Sequence, residues 1–302
     1  MTKLGFIGFG EAAASICSGL KNVANVDVFS YDIVLTMESH RERTLALMRE
    51  QHVNPCDTLA ELINNTDIIF CLTSAKFAIG IAQDVATIAN KPVTYIDLNS
   101  ASPGLKKEIA KVFEYTAVQF LDGAVMESVP PNKHRVPILL SGANAHETAV
   151  ILTNCQMKTS AISEHVGDAS SIKITRSIFV KGFTGLLIET LQAASKMNIL
   201  PHITDSINQT FKNFDLEQLA EKYIPRTAIH ANRRAFEMQE AMMMMEELSI
   251  RNDLSKATKE KLEYIASKEL DVIYQHEVPA SFQVVIQKLN EINEEDLEDE
   301  KV

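Results

Sequence analysis

The chain of 302 residues has no tryptophan, only four cysteines and no long uncharged apolar stretch. Cys17, Cys56, Cys71 and Cys155 are far apart and form no CxxC pair. This argues against zinc ribbons, thioredoxin-like chemistry and a disulfide scaffold, and we expect no metal site. Apolar runs fall short of the roughly 18 residues that a membrane-spanning helix needs. Since the first of them begins at Leu4, without a signal peptide before it, we expect a cytoplasmic protein that does not contact membranes.

Basic residues are outnumbered by acidic ones. The chain has 29 Lys and Arg against 40 Asp and Glu, which gives a formal net charge of −11. Nucleic-acid binding needs a basic face, so we expect no nucleic-acid partner. Seven acids and one lysine lie in residues 291–302, which we expect to form a solvated, disordered tail.

Residues 1–166 alternate between two sequence patterns. Short apolar runs predict strands at Leu4–Ile7, Val26–Tyr31, Asp67–Leu72, Val93–Leu98, Ala117–Leu121 and Val136–Leu140. Segments of helical period lie between them, at Glu11–Lys21, Glu38–Gln51, Thr58–Asn64, Phe77–Ala89 and Pro103–Phe113. This alternation predicts an α/β domain with a mostly parallel, doubly wound sheet.

The pattern changes at Gly167, after which almost no period-2 alternation remains. A long helix is predicted over Ser170–Lys196, where Asn198 offers a left-handed cap and Pro201 disfavours continuation. Further helices are predicted at Ile203–Asn213, Leu216–Lys222, Thr227–Ser249, Ser255–Ile273 and Ser281–Leu289. We therefore expect an α/β domain at 1–166, an all-α domain at 167–290 and the acidic tail at 291–302.

A GxGxxA pattern follows the first predicted strand and opens the first predicted helix. Its residues are Gly8, Phe9, Gly10, Glu11, Ala12 and Ala13. In this context the pattern is the dinucleotide-binding fingerprint of a Rossmann domain, with glycines for the tight turn and for close approach of a pyrophosphate to the helix N-terminus. An ordinary strand–helix turn is the alternative, but the context favours a nucleotide site.

Asp32 ends the second predicted strand, 22 positions after Gly10. The fingerprint places an acid about 20 residues on, where it accepts hydrogen bonds from the ribose hydroxyls. A 2′-phosphate there would meet like charge, so Asp32 favours NAD over NADP, whereas Arg41 and Arg43 would soften this preference. A simple turn role for Asp32 is the alternative.

Two further strand ends carry polar residues. In an open parallel sheet, ligands bind at the carboxyl ends of the strands. Leu72, Thr73 and Ser74 are expected to contact the cofactor, Asn99 the cofactor and substrate, and Ser100 the substrate. Turn chemistry alone would favour the same residue types.

Several strings resemble the β-hydroxyacid dehydrogenase superfamily, which includes phosphogluconate and hydroxyisobutyrate dehydrogenases. They are Asp122-Gly-Ala-Val-Met126, Pro130-Pro-Asn-Lys-His-Arg-Val-Pro-Ile-Leu-Leu-Ser-Gly142 and His230-Ala-Asn-Arg-Arg-Ala-Phe-Glu-Met238, together with GxGxxA and a lysine six positions after Gly167. The resemblance covers nearly the whole chain. It is closest to a phosphogluconate-dehydrogenase-like branch that has its own C-terminal domain.

The resemblance implies that Lys173 is the general acid/base and that Asp122 belongs to the substrate segment. A lysine desolvated in a closed cleft can accept the hydroxyl proton as hydride leaves carbon. Arg176 and Ser177 stand where the superfamily usually has asparagines. Met126, Glu127 and Ser128 replace a Ser-Gly-Gly segment that holds a substrate carboxylate, so we expect a different anionic substrate.

Two arginines on a later predicted helix, Arg233 and Arg234, are also candidates for a substrate anion, although ion pairing with Glu237 explains them equally well. The resemblance implies an NAD(P)-dependent dehydrogenase of a small β-hydroxy acid, with or without decarboxylation, in a homodimer paired through the helical domain. An aldehyde or imine reductase and a non-catalytic dinucleotide-binding sensor or scaffold are the alternatives. Lys173 argues against the imine reductase, because a cation would compete with an iminium ion.

Overall fold

A computed structural model of the chain describes residues 1–299. The chain divides into two compact units, Met1–Ile178 and the segment from Phe179 onward. The domain boundary predicted at 166/167 lies directly before the long helix that begins at Asp168, whereas the two compact units divide within that helix. The predicted boundary stays a prediction. None of the helices within the described residues is long and apolar enough to cross a membrane.

The first unit is built on one sheet of eight strands. They are β1 (Thr2–Ile7), β2 (Val26–Tyr31), β3 (Asn54–Pro55), β4 (Ile68–Cys71), β5 (Val93–Asp97), β6 (Val118–Val125), β7 (Ile138–Ser141) and β8 (Thr159–Ser163). Their order is β3-β2-β1-β4-β5-β6-β7-β8. All neighbours pair in parallel except β6 and β7. The predicted doubly wound, mostly parallel sheet is confirmed.

Helices connect the strands and cover both faces of the sheet. They are α1 (Glu11–Leu20), α2 (Glu38–Glu50), α3 (Leu59–Asn65), α4 (Ala78–Ile88), α5 (Pro103–Val112), α6 (Val129–Asn132) and α7 (Ala145–Asn154). One core cluster packs α1 against the sheet through Ile16 and Leu20, and a second packs α4 through Ala82 and Val85. Since both faces are covered, the strands read as continuous apolar runs.

The long helix α8 (Asp168–Lys196) leads into the second unit, whose described residues form helices throughout. The remaining helices are α9 (Leu200–Phe211), α10 (Leu216–Glu247), α11 (Asp253–Ser267), α12 (Leu270–Ile273) and α13 (Phe282–Asp299). Asn198 has φ of 60°, as its predicted capping role requires. The core of this unit is small: Ala228, Leu270 and Val285 form its buried centre.

Several predicted elements differ from the structure. The prediction missed β3 and β8, because their segments are short or half-exposed. It also missed α7, although the buried residues of this helix follow helical spacing. Two helical segments are present within residues 216–247, as predicted, but they meet at a kink at His230, where the backbone is non-helical, and the first of them contains Pro225. The predicted helix over 255–273 is interrupted where Glu269 takes φ of 49°.

The acidic tail also differs from the expectation of disorder. Helix α13 continues through it as far as Asp299. Lys268 pairs with Asp296, and Tyr264 hydrogen-bonds Asn293, so this end of the helix is attached to α11 and the residue that follows it. Residues 300–302 of the predicted tail lie outside the described part of the chain.

Candidate active site

The glycine loop between β1 and α1 approaches the end of β4 closely. Gly8 has φ of 88°, and a Cβ placed on it would lie 2.6 Å from the carbonyl oxygen of Leu72. Only glycine fits such a position without strain. Gly10 directly precedes α1, and no side chain caps this helix. The first-turn N–H groups of α1 therefore face the loop without a capping acceptor, which is the arrangement that binds phosphate.

Asp32 is tied to this loop by its carboxylate. One oxygen accepts the N–H of Phe9 at 2.6 Å, and the other accepts the N–H of Val34 at 2.8 Å. The side chain is only half-buried, so each oxygen can accept a further hydrogen bond. Asp32 thus holds the loop and still presents negative charge at the end of β2.

A cavity of about 760 Å³ lies at this edge of the sheet. Of the predicted cofactor residues, Gly8, Gly10, Asp32, Leu72, Thr73 and Ser74 line it. Sequence reasoning missed its apolar wall and a second acid, which are Ile7, Tyr31, Ile33, Leu59, Phe77, Ile81, Asp84 and Ile88. The helical spacing of residues 77, 81, 84 and 88, directly after the Thr73-Ser74 turn, was the signal that could have revealed this wall.

The other predicted cofactor residues support the loop rather than line the cavity. Phe9 and Ala13 are buried in the core, and Ala12 packs against that core. Glu11 is exposed in the first turn of α1.

Asn99 bridges the ends of β4 and β5. Its side-chain oxygen accepts the N–H of Thr73 at 2.8 Å, and its amide nitrogen donates to Asp97 at 3.0 Å and to the sulfur of Cys71 at 3.4 Å. With 6% exposure, this side chain orients the Thr73 turn. Ser100 is exposed at the same strand end, and contact of either residue with cofactor or substrate stays a prediction.

A fully buried ionic cluster lies between β5, α5 and β6. The ammonium of Lys106 is 2.6 Å from an Asp97 oxygen and 3.3 Å from an Asp122 oxygen, and all three side chains have no exposure. Asp122 also accepts the N–H and the hydroxyl of Ser170, at 2.9 and 2.6 Å. Asp122 is thus buried with three partner residues, Lys106, Ser170 and Ser141, and its predicted contact with substrate stays a prediction.

This cluster contacts the first turn of α8, and the predicted base, Lys173, lies in the next turn of the same helix. Lys173 follows Ser170 by three residues, so it lies on the same helix face. Lys173 is half-buried, and its backbone oxygen accepts the hydroxyl of Ser177 at 3.0 Å. Arg176 donates to the backbone oxygen of Met126 at 2.9 Å, which brings the segment after β6 to the first two turns of α8.

The remaining predicted substrate residues have partners of their own. Glu127 accepts a hydrogen bond from Asn132 at 3.3 Å, and both Glu127 and Ser128 are exposed beside α6. Arg233 lies 3.8 Å from Glu237, and Arg234 donates to Tyr223 and Thr227. The two arginines belong to the second unit, and their role toward a substrate stays a prediction.

The cysteines are unsuited to nucleophilic catalysis. All four are free and buried. Burial raises the pKa of Cys71 to about 11 and that of Cys56 to about 12, so both remain thiols at neutral pH. Within the described part of the chain, no three His, Cys, Asp or Glu side chains are grouped to hold a metal ion.

The loop, the uncapped helix and the acid after β2 together fit a dinucleotide, since Gly8 cannot carry a side chain and Gly10 opens toward the cavity. Two family models match the chain. One, described as an NADP oxidoreductase that is coenzyme F420-dependent, matches residues 3–101. The other is a domain of unknown function, DUF1932, and matches residues 194–265.

Solved structures extend the comparison to the whole chain. A conserved hypothetical protein from Sinorhizobium meliloti 1021 is 34% identical, covers 87% of this chain and 88% of its own, and has a TM-score of 0.63. A conserved protein of unknown function, described as structurally similar to 3-hydroxyacid dehydrogenases, is 26% identical over 89% of this chain and 98% of its own, with a TM-score of 0.59. An imine reductase from Myxococcus stipitatus in complex with NADP⁺ has the same fold at 17% identity, with coverage of 88% and 95% and a TM-score of 0.68.

The fold is that of NADP-dependent oxidoreductases with a helical second unit. The chain belongs to the β-hydroxyacid dehydrogenase-like superfamily, as its motifs predict.

Proposed function

We propose that the protein is an NAD-dependent oxidoreductase that transfers hydride between the nicotinamide ring and a small anionic β-hydroxy acid. The observation that carries this proposal is the uncapped N-terminus of α1, which faces a 760 Å³ cavity beside Asp32. The backbone at Gly8 and Gly10 would hold the pyrophosphate, Asp32 the ribose hydroxyls, and Thr73 and Ser74 the nicotinamide half. The bound cofactor supplies the hydride acceptor.

Lys173 moves the proton in this scheme. Oxidation of an alcohol requires that the hydroxyl proton leave as hydride departs from carbon, and an uncharged lysine amine accepts it. In the reverse direction the ammonium donates the proton to the carbonyl oxygen. Arg176, three residues on, adds positive charge on the same face, which favours the neutral lysine.

The test of this role is Lys173→Met. We expect NADH affinity to stay nearly unchanged and turnover to fall about 100-fold or more, the typical contribution of a positioned acid–base group. Lys181→Met, two turns further along α8, is the matched control and should keep wild-type turnover. If the control loses turnover and Lys173→Met does not, the proton is carried by Lys181.

The substrate anion is proposed to bind differently from that of hydroxyisobutyrate dehydrogenases. Glu127 would repel a carboxylate at the segment after β6, whereas Arg176, and Arg233 or Arg234, offer positive charge. A panel of β-hydroxy acids should show poor turnover of hydroxyisobutyrate and better turnover of a bulkier anion. A variant with Met126→Ser, Glu127→Gly and Ser128→Gly should gain activity on hydroxyisobutyrate. Strong wild-type turnover of hydroxyisobutyrate would contradict this.

Imine or carbonyl reduction is the second candidate, because imine reductases share the fold. Cyclic imines, and ketones paired with amines, therefore belong in the same panel. Reduction of imines without any oxidation of hydroxy acids would favour this candidate. Tight NADH binding without turnover of any substrate would instead favour a dinucleotide sensor.

A further inference from the structure

A second carboxylate faces the cavity that is proposed to hold the cofactor. Asp84 lies on α4, three residues after Ile81 and four before Ile88, and all three line the cavity. Residues at this spacing share one helix face. Asp84 is therefore a charged residue on a helix face whose other cavity-lining residues are apolar.

Asp84 and Asp32 line the same cavity but belong to different elements. Asp32 follows β2, whereas Asp84 lies on the helix after β4. Tyr31 also lines the cavity and lies within the electrostatic influence of both acids. Burial raises the pKa of its phenol, and the charges of Asp32 and Asp84 raise this pKa further. Two separate carboxylates thus contribute negative potential at one side of the cavity.

No basic side chain among the described residues lines the cavity to offset this charge. Arg43 does not line the cavity, and Arg41, the other arginine that would soften the preference for NAD, is engaged elsewhere. Its guanidinium donates to the backbone oxygen of Leu35 at 2.6 Å and to Asp57 at 2.7 Å. The cavity therefore lacks the cation that a 2′-phosphate requires.

We propose that Asp84 is a specificity-determining residue, which together with Asp32 makes the site select a dinucleotide with a free 2′-hydroxyl over one with a 2′-phosphate. This rests on the proposed function, because it concerns the same cofactor cavity. The Debye length is about 8 Å at physiological ionic strength, comparable with the size of the cavity, so Asp84 acts without direct contact. Without screening, a doubly charged phosphate about 8 Å away is disfavoured by about five-fold, and at physiological ionic strength screening reduces this to about two-fold.

The experiment is calorimetric titration of NADH and NADPH into the full-length wild type and three variants, Asp84→Asn, Asp32→Asn and Glu114→Gln. The readout is the ratio of the NADPH to the NADH dissociation constant, which a general loss of stability would not change. We expect the wild type to bind NADH more tightly. Asp84→Asn should lower the ratio about five-fold at low salt and about two-fold at physiological salt, and higher salt should remove the difference between variant and wild type.

Glu114→Gln is the matched control, because it removes one exposed carboxylate that precedes β6, at the amino ends of the parallel strands and thus opposite the cavity. Its ratio should equal that of the wild type. An unchanged ratio in Asp84→Asn, with tight NADH binding in the wild type, would overturn the role of Asp84 and leave the proposed function standing. A wild type that binds neither dinucleotide would overturn the proposed function itself.

Discussion

Gly8 has no side chain, which allows the glycine loop to approach the carbonyl of Leu72 at the end of β4. An alanine there would combine an unfavourable positive φ, at a cost of about 1–2 kcal/mol, with overlap between its Cβ and the carbonyl of Leu72. We expect Gly8→Ala to lower the melting temperature and to abolish NADH binding. Calorimetry and thermal unfolding measure the two effects.

Gly10→Ala separates binding from folding. A Cβ at Gly10 meets no atom within 4 Å, and its φ of −81° suits any residue. This variant should keep the melting temperature of the wild type but weaken NADH binding, because the methyl group stands where the pyrophosphate approaches the helix. Equal NADH affinity in the wild type and both variants would show that the loop does not bind the cofactor.

The burial of His134 makes the stability of the protein depend on pH. Both ring nitrogens are buried without a hydrogen-bond partner, and a Cβ on Gly19 would overlap the ring. Burial, followed by the charges of Arg135 and Lys133, lowers the pKa of His134 below its ordinary value. The unfolded chain therefore binds a proton that the folded chain rejects, so stability falls as the pH falls through about 6.5.

Melting temperatures measured from pH 8 to pH 5 test this. His134→Phe keeps a flat ring and removes the titrating group, so its melting temperature should depend less on pH than that of the wild type. His146→Phe, at an exposed position on α7, is the control and should keep the wild-type dependence. The same pH dependence in His134→Phe would contradict the assignment.

Among single residues, those of the glycine loop were predictable from sequence, because their pattern is local. The roles of Asn99 and Asp122 were not. Both follow predicted strands, a position that sequence alone associates with ligands, although Asp122 in fact lies inside β6. Their partners come from distant segments: Thr73 for Asn99, and Lys106 and Ser170 for Asp122. A buried polar group and a ligand-binding one look alike until the fold shows what surrounds them.

At the scale of elements, the buried Lys106 links strands β5 and β6 to the start of α8. Removal of its charge would leave Asp97 and Asp122 buried close to each other without a cation. Breaking a buried ion pair from one side costs about 3–5 kcal/mol. We expect Lys106→Met to lose about this much unfolding free energy in urea, as followed by circular dichroism.

Lys107→Met is the control, because this neighbouring lysine on α5 is exposed and its loss should change the unfolding free energy by less than about 0.5 kcal/mol. If Lys106→Met unfolds at the urea midpoint of the control, the cluster does not stabilise the fold. Neutralising a carboxylate in the same background, with Asp122→Asn, should recover part of the loss.

Element boundaries were predicted best where the segment has a strong strand or helix periodicity. β2 matches its predicted range, and α1 and α5 end within one residue of theirs. β8 was missed because its residues alternate between half-buried and exposed without a strongly apolar run, and β3 because it spans two residues. The helix break at Glu269 depends on a left-handed backbone conformation that glutamate rarely adopts, so the amino-acid type at this position does not predict the break.

For the whole molecule, the mostly parallel, doubly wound sheet and the change to helices at α8 followed from sequence, whereas the order of the strands and the assembly did not. Helix α8 exposes apolar side chains around its middle, with Ile178 73%, Phe179 53%, Phe183 42%, Leu186 45% and Ile188 54% exposed. Monomeric proteins rarely expose contiguous apolar patches of this kind. The small core of the second unit points the same way, because a helical unit with little buried apolar area needs a partner surface.

We therefore predict a homodimer that buries the middle of α8. Light scattering should give twice the 33.5 kDa mass of the chain. The double variant Phe179→Glu and Phe183→Glu replaces two stacked rings, with centroids 5.8 Å apart, by charges that would be desolvated in the interface, so it should be monomeric at concentrations where the wild type is a dimer. Val150→Glu adds a charge at an equally exposed apolar position on α7 and should remain a dimer. A monomeric wild type would refute the prediction, and a dimeric double variant would place the interface away from α8.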